Sequence, residues 1–354
     1  MAFAAKVVLD SISPFDKRLI TVEATYPRFV HAEVLTHRDR ERNSASSRAI
    51  PWVSWRPKFA GESEAEYIMN KAAGGIEMLH DKCMKGMILR DPVVPLKFGM
   101  EQRGMQKGQD IPAHLEILAQ HLWLMGRDYM VDIADMLHNI GETFDRVQSG
   151  KLKLPGFQPS EPQHPDWSSV KIHKSLANRL TEPWMWITVV MTATEWNNFF
   201  RLRCHPAAEQ HFFKIANMIR DEIRVSIPKR LNFGEVHAPY VTEVEQEEIA
   251  QKYYCGDFGP GFDGPEFAIQ AISTGRCARV SYLTHDGKRD YMKDIELYNT
   301  LLKPPGDPDE DIMHASPFGH VAVPGAADLR SGPFIGWKQF RKLFPNENVE
   351  GCTV

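Results

Sequence analysis

No two cysteines of this 354-residue chain stand in a Cys-x-x-Cys pair. Cys83, Cys204, Cys255, Cys277 and Cys352 are odd in number and far apart, which excludes a disulfide framework and a zinc cluster and fits a reducing cytoplasm. Long apolar runs are also missing: no segment approaches the roughly 20 residues that span a bilayer. The start, MAFAAKVVLDS, lacks the cationic opening and apolar stretch of a targeting signal, so none is expected. A strong charge of one sign is absent too. The net charge of -4 excludes a protein that grips nucleic acid along a broad basic surface, so any basic cluster is local and reads as a site.

What is present is an ordinary globular composition, 43% hydrophobic, with 24 Gly and 24 Pro that imply many turns. Residues 17–38 alternate apolar and polar around Pro27 and read as two short strands or one broken strand. Residues 62–90 and 110–150 read as helical, the latter through Leu115, Leu118, Leu122, Met125, Met130, Ile133 and Leu137. The proline-rich 154–169 reads as a connection between helical segments. Val170 to Ile227 reads as helical again, with Phe212, Ile215, Ile219 and Ile223 as a core stripe. In RLRCHP, Pro206 is expected to open a new helix, which sets Arg203 beside a helix start. Residues 228–264 read as loop-rich, and EFAIQAIS, CARVSYL and RDYMKDIELYNTLL as helix, buried strand and helix. Ser-Pro-Phe recurs at 13–15 and 316–318 ahead of extended segments, so the chain ends read as related hairpins.

One stretch concentrates polar chemistry. THRDRERNSASSRAIP (36–51) packs four arginines and a histidine into sixteen positions, with His37, Arg38, Arg40 and Arg48 around Asn43, Ser44, Ser46 and Ser47. Arginine forks and serine hydroxyls suit a phosphate. A solvated turn and an RNA contact are the competing readings; Trp52 and Trp55 alone give the latter thin support. Lys174 and Arg179, then Thr194, Asn197, Asn198 and Arg203, supply similar chemistry, while Trp196, Phe199 and Phe200 read as core. His205 and His211 lack a third ligand at a recognisable spacing, so no metal site is expected. Cys204 reads as a packing residue.

Together these residues resemble the flavin-dependent thymidylate synthases. Their signature is Arg-His-Arg, seven residues, then Ser; here Thr36, His37 and Arg38 precede DRERNSA and Ser46, with Thr36 in the place of the first arginine. ANRLTEP, TEWNNFFRLR, CARVSY and HASPFGH are similar to further family segments. In typical members the last two precede the signature, so this chain resembles a longer, rearranged branch. Gly319 stands where a glutamate is usual, and Glu33 where a glutamine often contacts the nucleotide.

The resemblance implies an α+β fold with a mixed β-sheet flanked by long helices. It implies a single catalytic domain over 1–354, with a signature hairpin and nucleotide loop (1–60), a helical region (61–227), a loop-rich insertion (228–264) and flavin-side elements with a second hairpin (265–354). It implies a homotetramer with shared active sites, no membrane and no nucleic-acid partner. His37, Arg38, Asn43, Thr194, Asn198, Ser281 and Ser316 would contact FAD. Glu33, Thr36, Ser46, Ser47, Arg48, Arg179 and Arg203 would hold a deoxypyrimidine monophosphate; Arg203 would stabilise its ionised ring and His314 would sit beside flavin and folate. The implied reaction transfers a one-carbon unit from methylenetetrahydrofolate to C5, with NADPH as reductant, by default dUMP to dTMP. Hydroxymethylation of dCMP is the alternative, and a non-catalytic flavin or nucleotide binder a more distant one.

Overall fold

The computed structural model describes residues 2–52, 83–100, 109–158, 167–259, 261–282, 290–302, 313–344 and 347. The readings of 62–82, Trp55 and Cys352 lie outside the described residues, as does part of 154–169.

A mixed five-stranded sheet anchors an α+β architecture. Strands β1 (Ala4–Ile12) and β2 (Arg18–Pro27) form an antiparallel hairpin, β3 (Glu41–Ser44) lies at one edge, and β4 (Trp186–Ala193) sits between β3 and β2. The two-residue β5 (Lys229–Arg230) pairs parallel with β1 at the other edge. β4 is WITVVMTA, apolar on both faces and β-branched, which suits a strand buried between neighbours. Its register with β2 runs from Ile20 opposite Ala193 to Pro27 opposite Trp186.

Several local expectations are corrected. The 170–227 stretch is not continuously helical, because β4 interrupts it; the helices there are α5 (Lys174–Ala177), α6 (Asn197–Arg203) and α7 (Gln210–Val225). After Pro27 the chain turns into a short 3-10 turn and α1 (His31–Leu35) instead of a second strand. The two Ser-Pro-Phe copies therefore differ. Residues 13–15 lie in the β1–β2 turn, where Asp16 has φ 58, whereas Pro317–His320 forms a 3-10 turn before the paired β6 (Ala322–Pro324) and β7 (Trp337–Gln339). CARVSYL is not a strand: Cys277, Ala278 and Arg279 end helix α9 (Pro265–Arg279), and Val280–Tyr282 continues as a 3-10 turn. The 228–264 stretch contains α8 (Glu243–Cys255), opened by a Thr242–Glu245 capping box.

The remaining helices match their patterns: α2 (Met84–Arg90), α3 (Ala113–His138), α4 (Ile140–Gln148) and α10 (Tyr291–Leu302). Phe212, Ile215, Ile219 and Ile223 of α7 are buried against β1 and β2 with Val22, Ala24, Val189 and Met191. A second core joins α8, α9 and α10 to the 317–320 turn through Ile272, Tyr298, Phe318 and Phe340. Gly275 permits the close approach of α9 and α10, since a Cβ there would collide with the Asp294 carbonyl. Among the described residues, no helix is long and apolar enough to cross a membrane.

Candidate functional site

Strand β3 carries the polar stretch into the interior. Asn43 is buried, its Nδ2 donates to the Cys277 carbonyl (2.9 Å), and its Oδ1 accepts from Ser281 Oγ (3.1 Å) and Ser316 Oγ (3.2 Å). The Ser46 amide donates to the Ser281 carbonyl at 3.0 Å. One asparagine thus ties the signature strand, the end of α9 and the Ser-Pro-Phe turn together. Around them opens a cleft of about 530 Å³ lined by Arg42, Asn43, Ser44, Ser46, Arg48, Ser281, His314 and Ser316, with no carboxylate among its lining residues. Such a lining favours an anion with several oxygens.

Arg42 was not singled out by sequence, although it continues the Arg38, Arg40 alternation. Its Nη1 donates to the carbonyls of Leu35 (2.7 Å) and His37 (2.9 Å), so it bridges the cleft to a second cluster. There Arg203 Nε donates to His37 Nε2 at 2.9 Å, lies 3.8 Å from Glu33, and covers the Phe212 ring at 4.5 Å. Burial, with Arg40 and Arg203 adding to it, lowers the His37 pKa to about 4. The imidazole is therefore neutral at pH 7, and its Nε2 lone pair can take the Arg203 proton donor. Burial raises the Glu33 pKa, and the Glu209 carboxylate pushes the same way. Thr36 Oγ1 donates to the Glu33 carbonyl at 2.7 Å and closes the turn.

Arg203 ends α6; it does not stand beside a helix start. Pro206 lies in a turn, and α7 begins at Gln210 with its first amides taken by the Glu209 carboxylate, at 2.9 Å from both His211 N and Phe212 N. His211 is held by Glu209 and accepts from the Leu96 amide at 2.8 Å, and His205 Nδ1 accepts from Ala207 N, so both have structural partners.

The other expected contacts lie elsewhere on the protomer. Thr194 and Asn198 line a separate cleft of about 720 Å³ with Lys17, Arg18, Asp39 and Asn197. Ser47 points away from the main cleft, donating to Glu182 at 2.7 Å, and Glu182 also pairs with Arg28 at 3.2 Å. Arg38 and Arg179 are exposed and line neither cleft. Within one protomer Arg38, Arg48, Arg179 and Arg203 do not line one cleft: Arg48 lines the main cleft, Arg203 is held in the His37 cluster, and Arg38 and Arg179 line neither cleft.

Gly319 has a physical counterpart in Glu41. A Cβ at Gly319 would lie 2.7 Å from Glu41 Oε2, and Glu41 Oε1 accepts from Gln339 Nε2 at 2.9 Å and pairs with Arg341 at 3.2 Å. A carboxylate from the facing strand fills the space beside the glycine.

The fold and the cleft define an α+β protein with a cationic, hydroxyl-lined site. No protein-family model and no curated protein matches this chain.

Proposed function

We propose that this chain is an FAD-dependent enzyme of the flavin-dependent thymidylate synthase type, acting in the cytoplasm on a deoxypyrimidine monophosphate. The supporting observation is the Asn43 hub. Residues 238 and 273 positions away, Ser281 and Ser316, share its Oδ1, so the three motif segments behind the resemblance border one cleft.

The cleft chemistry fits a flavin nucleotide and a nucleotide phosphate: Arg42, Arg48 and Ser46 supply cations and a hydroxyl, and the volume is in the range of ligand pockets. Bound reduced flavin would supply the hydride, regenerated by NADPH, while methylenetetrahydrofolate would supply the carbon. Arg48 and Ser46 would hold the phosphate, and His314 at the rim would face the folate. Arg203 would donate to a ring carbonyl of the pyrimidine and favour the ionised ring that pushes electron density onto C5. Neutral His37 would orient Arg203 without competing for the anion. Cys204 is not needed as a nucleophile, and burial raises its thiol pKa. The separation of Arg203 from the cleft fits active sites shared between copies of the chain, as in a homotetramer.

Incubation of the purified protein with FAD, NADPH, methylenetetrahydrofolate and either dUMP or dCMP, followed by mass spectrometry, tests the reading. Formation of dTMP is expected. A 5-hydroxymethyl product from dCMP alone would replace the default with the hydroxymethylase reading. Yellow protein without turnover of either would mark a flavin binder, and colourless, inactive protein would overturn the proposal.

A further inference from the structure

Arg42 has more N–H donors than the turn it holds can use. Its Nη1 is directed at the end of helix α1, donating to the carbonyls of Leu35 (2.7 Å) and His37 (2.9 Å), with Val34 at a longer 3.4 Å. Its Nε and Nη2 donate to no described residue. The carboxylates on either side in sequence are engaged elsewhere: Asp39 holds Arg40 at 2.8 Å, and Glu41 is held by Gln339 and Arg341. Side chains alternate along β3, so Arg42 faces away from Glu41 and lines the main cleft with Ser44. The same turn is anchored from its other side. The His37 ring accepts from Arg203 Nε at 2.9 Å and packs on Phe199 and Phe212, while the His37 carbonyl is held by Arg42. Helix α1 is five residues long, too short to be stable by its own hydrogen bonds, so the turn after it depends on such outside contacts.

We propose that Arg42 is a positioning residue: Nη1 fixes the turn that carries His37, Nε or Nη2 takes a phosphate oxygen of the ligand in the cleft, and occupancy of the cleft thereby fixes the orientation of Arg203. What Arg203 does to a substrate rests on the proposed function; the contact between a phosphate oxygen and Arg42 does not. The planar fork allows both tasks, because its nitrogens point in divergent directions, whereas a lysine ammonium is a single point of charge. The coupling is reciprocal, so an anion that orders the turn also binds more tightly when the turn is already held. Burial lowers the Arg42 pKa, and an anionic oxygen beside it opposes that shift. Arg48 lines the same cleft without bonding to the 35–37 turn, which separates affinity for the anion from positioning.

His37 and Arg38 form the only His-Arg pair in the chain, so carbon-13 in histidine carbonyls and nitrogen-15 in arginine amides together select one carbonyl resonance, that of His37. The full chain, dialysed free of small molecules, is titrated with inorganic pyrophosphate to saturation. The His37 carbonyl signal is expected to shift in the wild type and to reach the same end point, at higher pyrophosphate concentration, in Arg48→Ala. In Arg42→Lys and Arg42→Gln, both checked for folding by circular dichroism, it should stay in place. A stationary signal in the saturated wild type, no binding of pyrophosphate, or the wild-type shift in either Arg42 variant would overturn the proposal. In turnover assays Arg42→Lys should lower kcat about 10-fold and change KM for the nucleotide less than about 2-fold, since charge is kept and positioning lost. A raised KM with unchanged kcat would count against positioning. The carbonyl readout needs no turnover: an inactive protein with a moving signal overturns the proposed function and keeps the Arg42 contact, and an active enzyme with a stationary signal does the reverse.

Discussion

Asn43 Oδ1 lies 3.2 Å from Ser316 Oγ, joining positions 273 residues apart in the chain. Through the same oxygen the strand Glu41–Ser44 is fastened to Ser281 at the end of α9. Replacing Asn43 with alanine removes three hydrogen bonds and leaves the buried Cys277 carbonyl without this donor, which should cost about 2 kcal/mol. Urea denaturation would measure it. Ser316→Ala, which loses one bond, should cost about 1 kcal/mol or less.

Crowding at Gly319 gives a second expectation. Gly319→Ala forces a methyl group against the Glu41 carboxylate, and the strain should destabilise the protein by about 1–3 kcal/mol. Combining it with Glu41→Ala should cost less than the sum of the two single changes, since the second removes the atoms that clash. Additive losses in a double-mutant cycle would mean the two positions do not share that space.

His237 and His320 sit in a fully buried hydrogen-bonded chain. Ser11 Oγ bonds His237 Nδ1 (2.8 Å), His237 Nε2 bonds Thr21 (2.9 Å), Thr21 bonds Thr192 (2.8 Å), and Thr192 bonds His320 Nδ1 (2.8 Å). Burial lowers both pKa values from 6.5 to about 3, helped at His237 by His320 and at His320 by Arg341. The unfolded chain therefore binds protons that the folded chain refuses. Stability is fully present above pH 6.5 and is lost as pH falls towards 3, by up to about 1.4 kcal/mol per unit for each histidine. Melting temperatures between pH 7 and pH 4 should fall steeply, and His237→Gln should flatten the slope.

The Arg203–His37 contact can be tested without substrate. Arg203→Gln removes one of the cations that, with burial, depress His37, so its pKa should rise from about 4 while remaining below 6.5. Proton NMR of the imidazole would follow it. On the proposed function, Arg203→Lys keeps a charge but loses the planar fork, and turnover should drop about 100-fold.

Arg48 is exposed on the rim of the main cleft, so its loss should leave the fold intact. Arg48→Ala should weaken dUMP binding about 10-fold, equivalent to about 1.4 kcal/mol, with an unchanged melting temperature. Calorimetric titration would read both enthalpy and affinity; unchanged affinity would remove Arg48 from the phosphate.

Local periodicity by itself determined the helices 113–138 and 140–148 and the buried stripe Phe212, Ile215, Ile219 and Ile223, because those patterns repeat within a few turns of the chain. Residue chemistry likewise marked Asn43, Ser46 and Arg48, and the family resemblance marked Ser281, His314 and Ser316, before any geometry showed that they share one cleft. Only the tertiary structure decided that Trp186–Ala193 is a strand, since its partners are β2 and β3, more than a hundred residues earlier, and an apolar run reads alike as buried helix or buried strand. It also decided that His37 turns its ring to Arg203 while Asn43, six positions on, faces the cleft. That division follows from the turn and strand between them, and from packing against Phe199 and Phe212 that no short window of sequence contains.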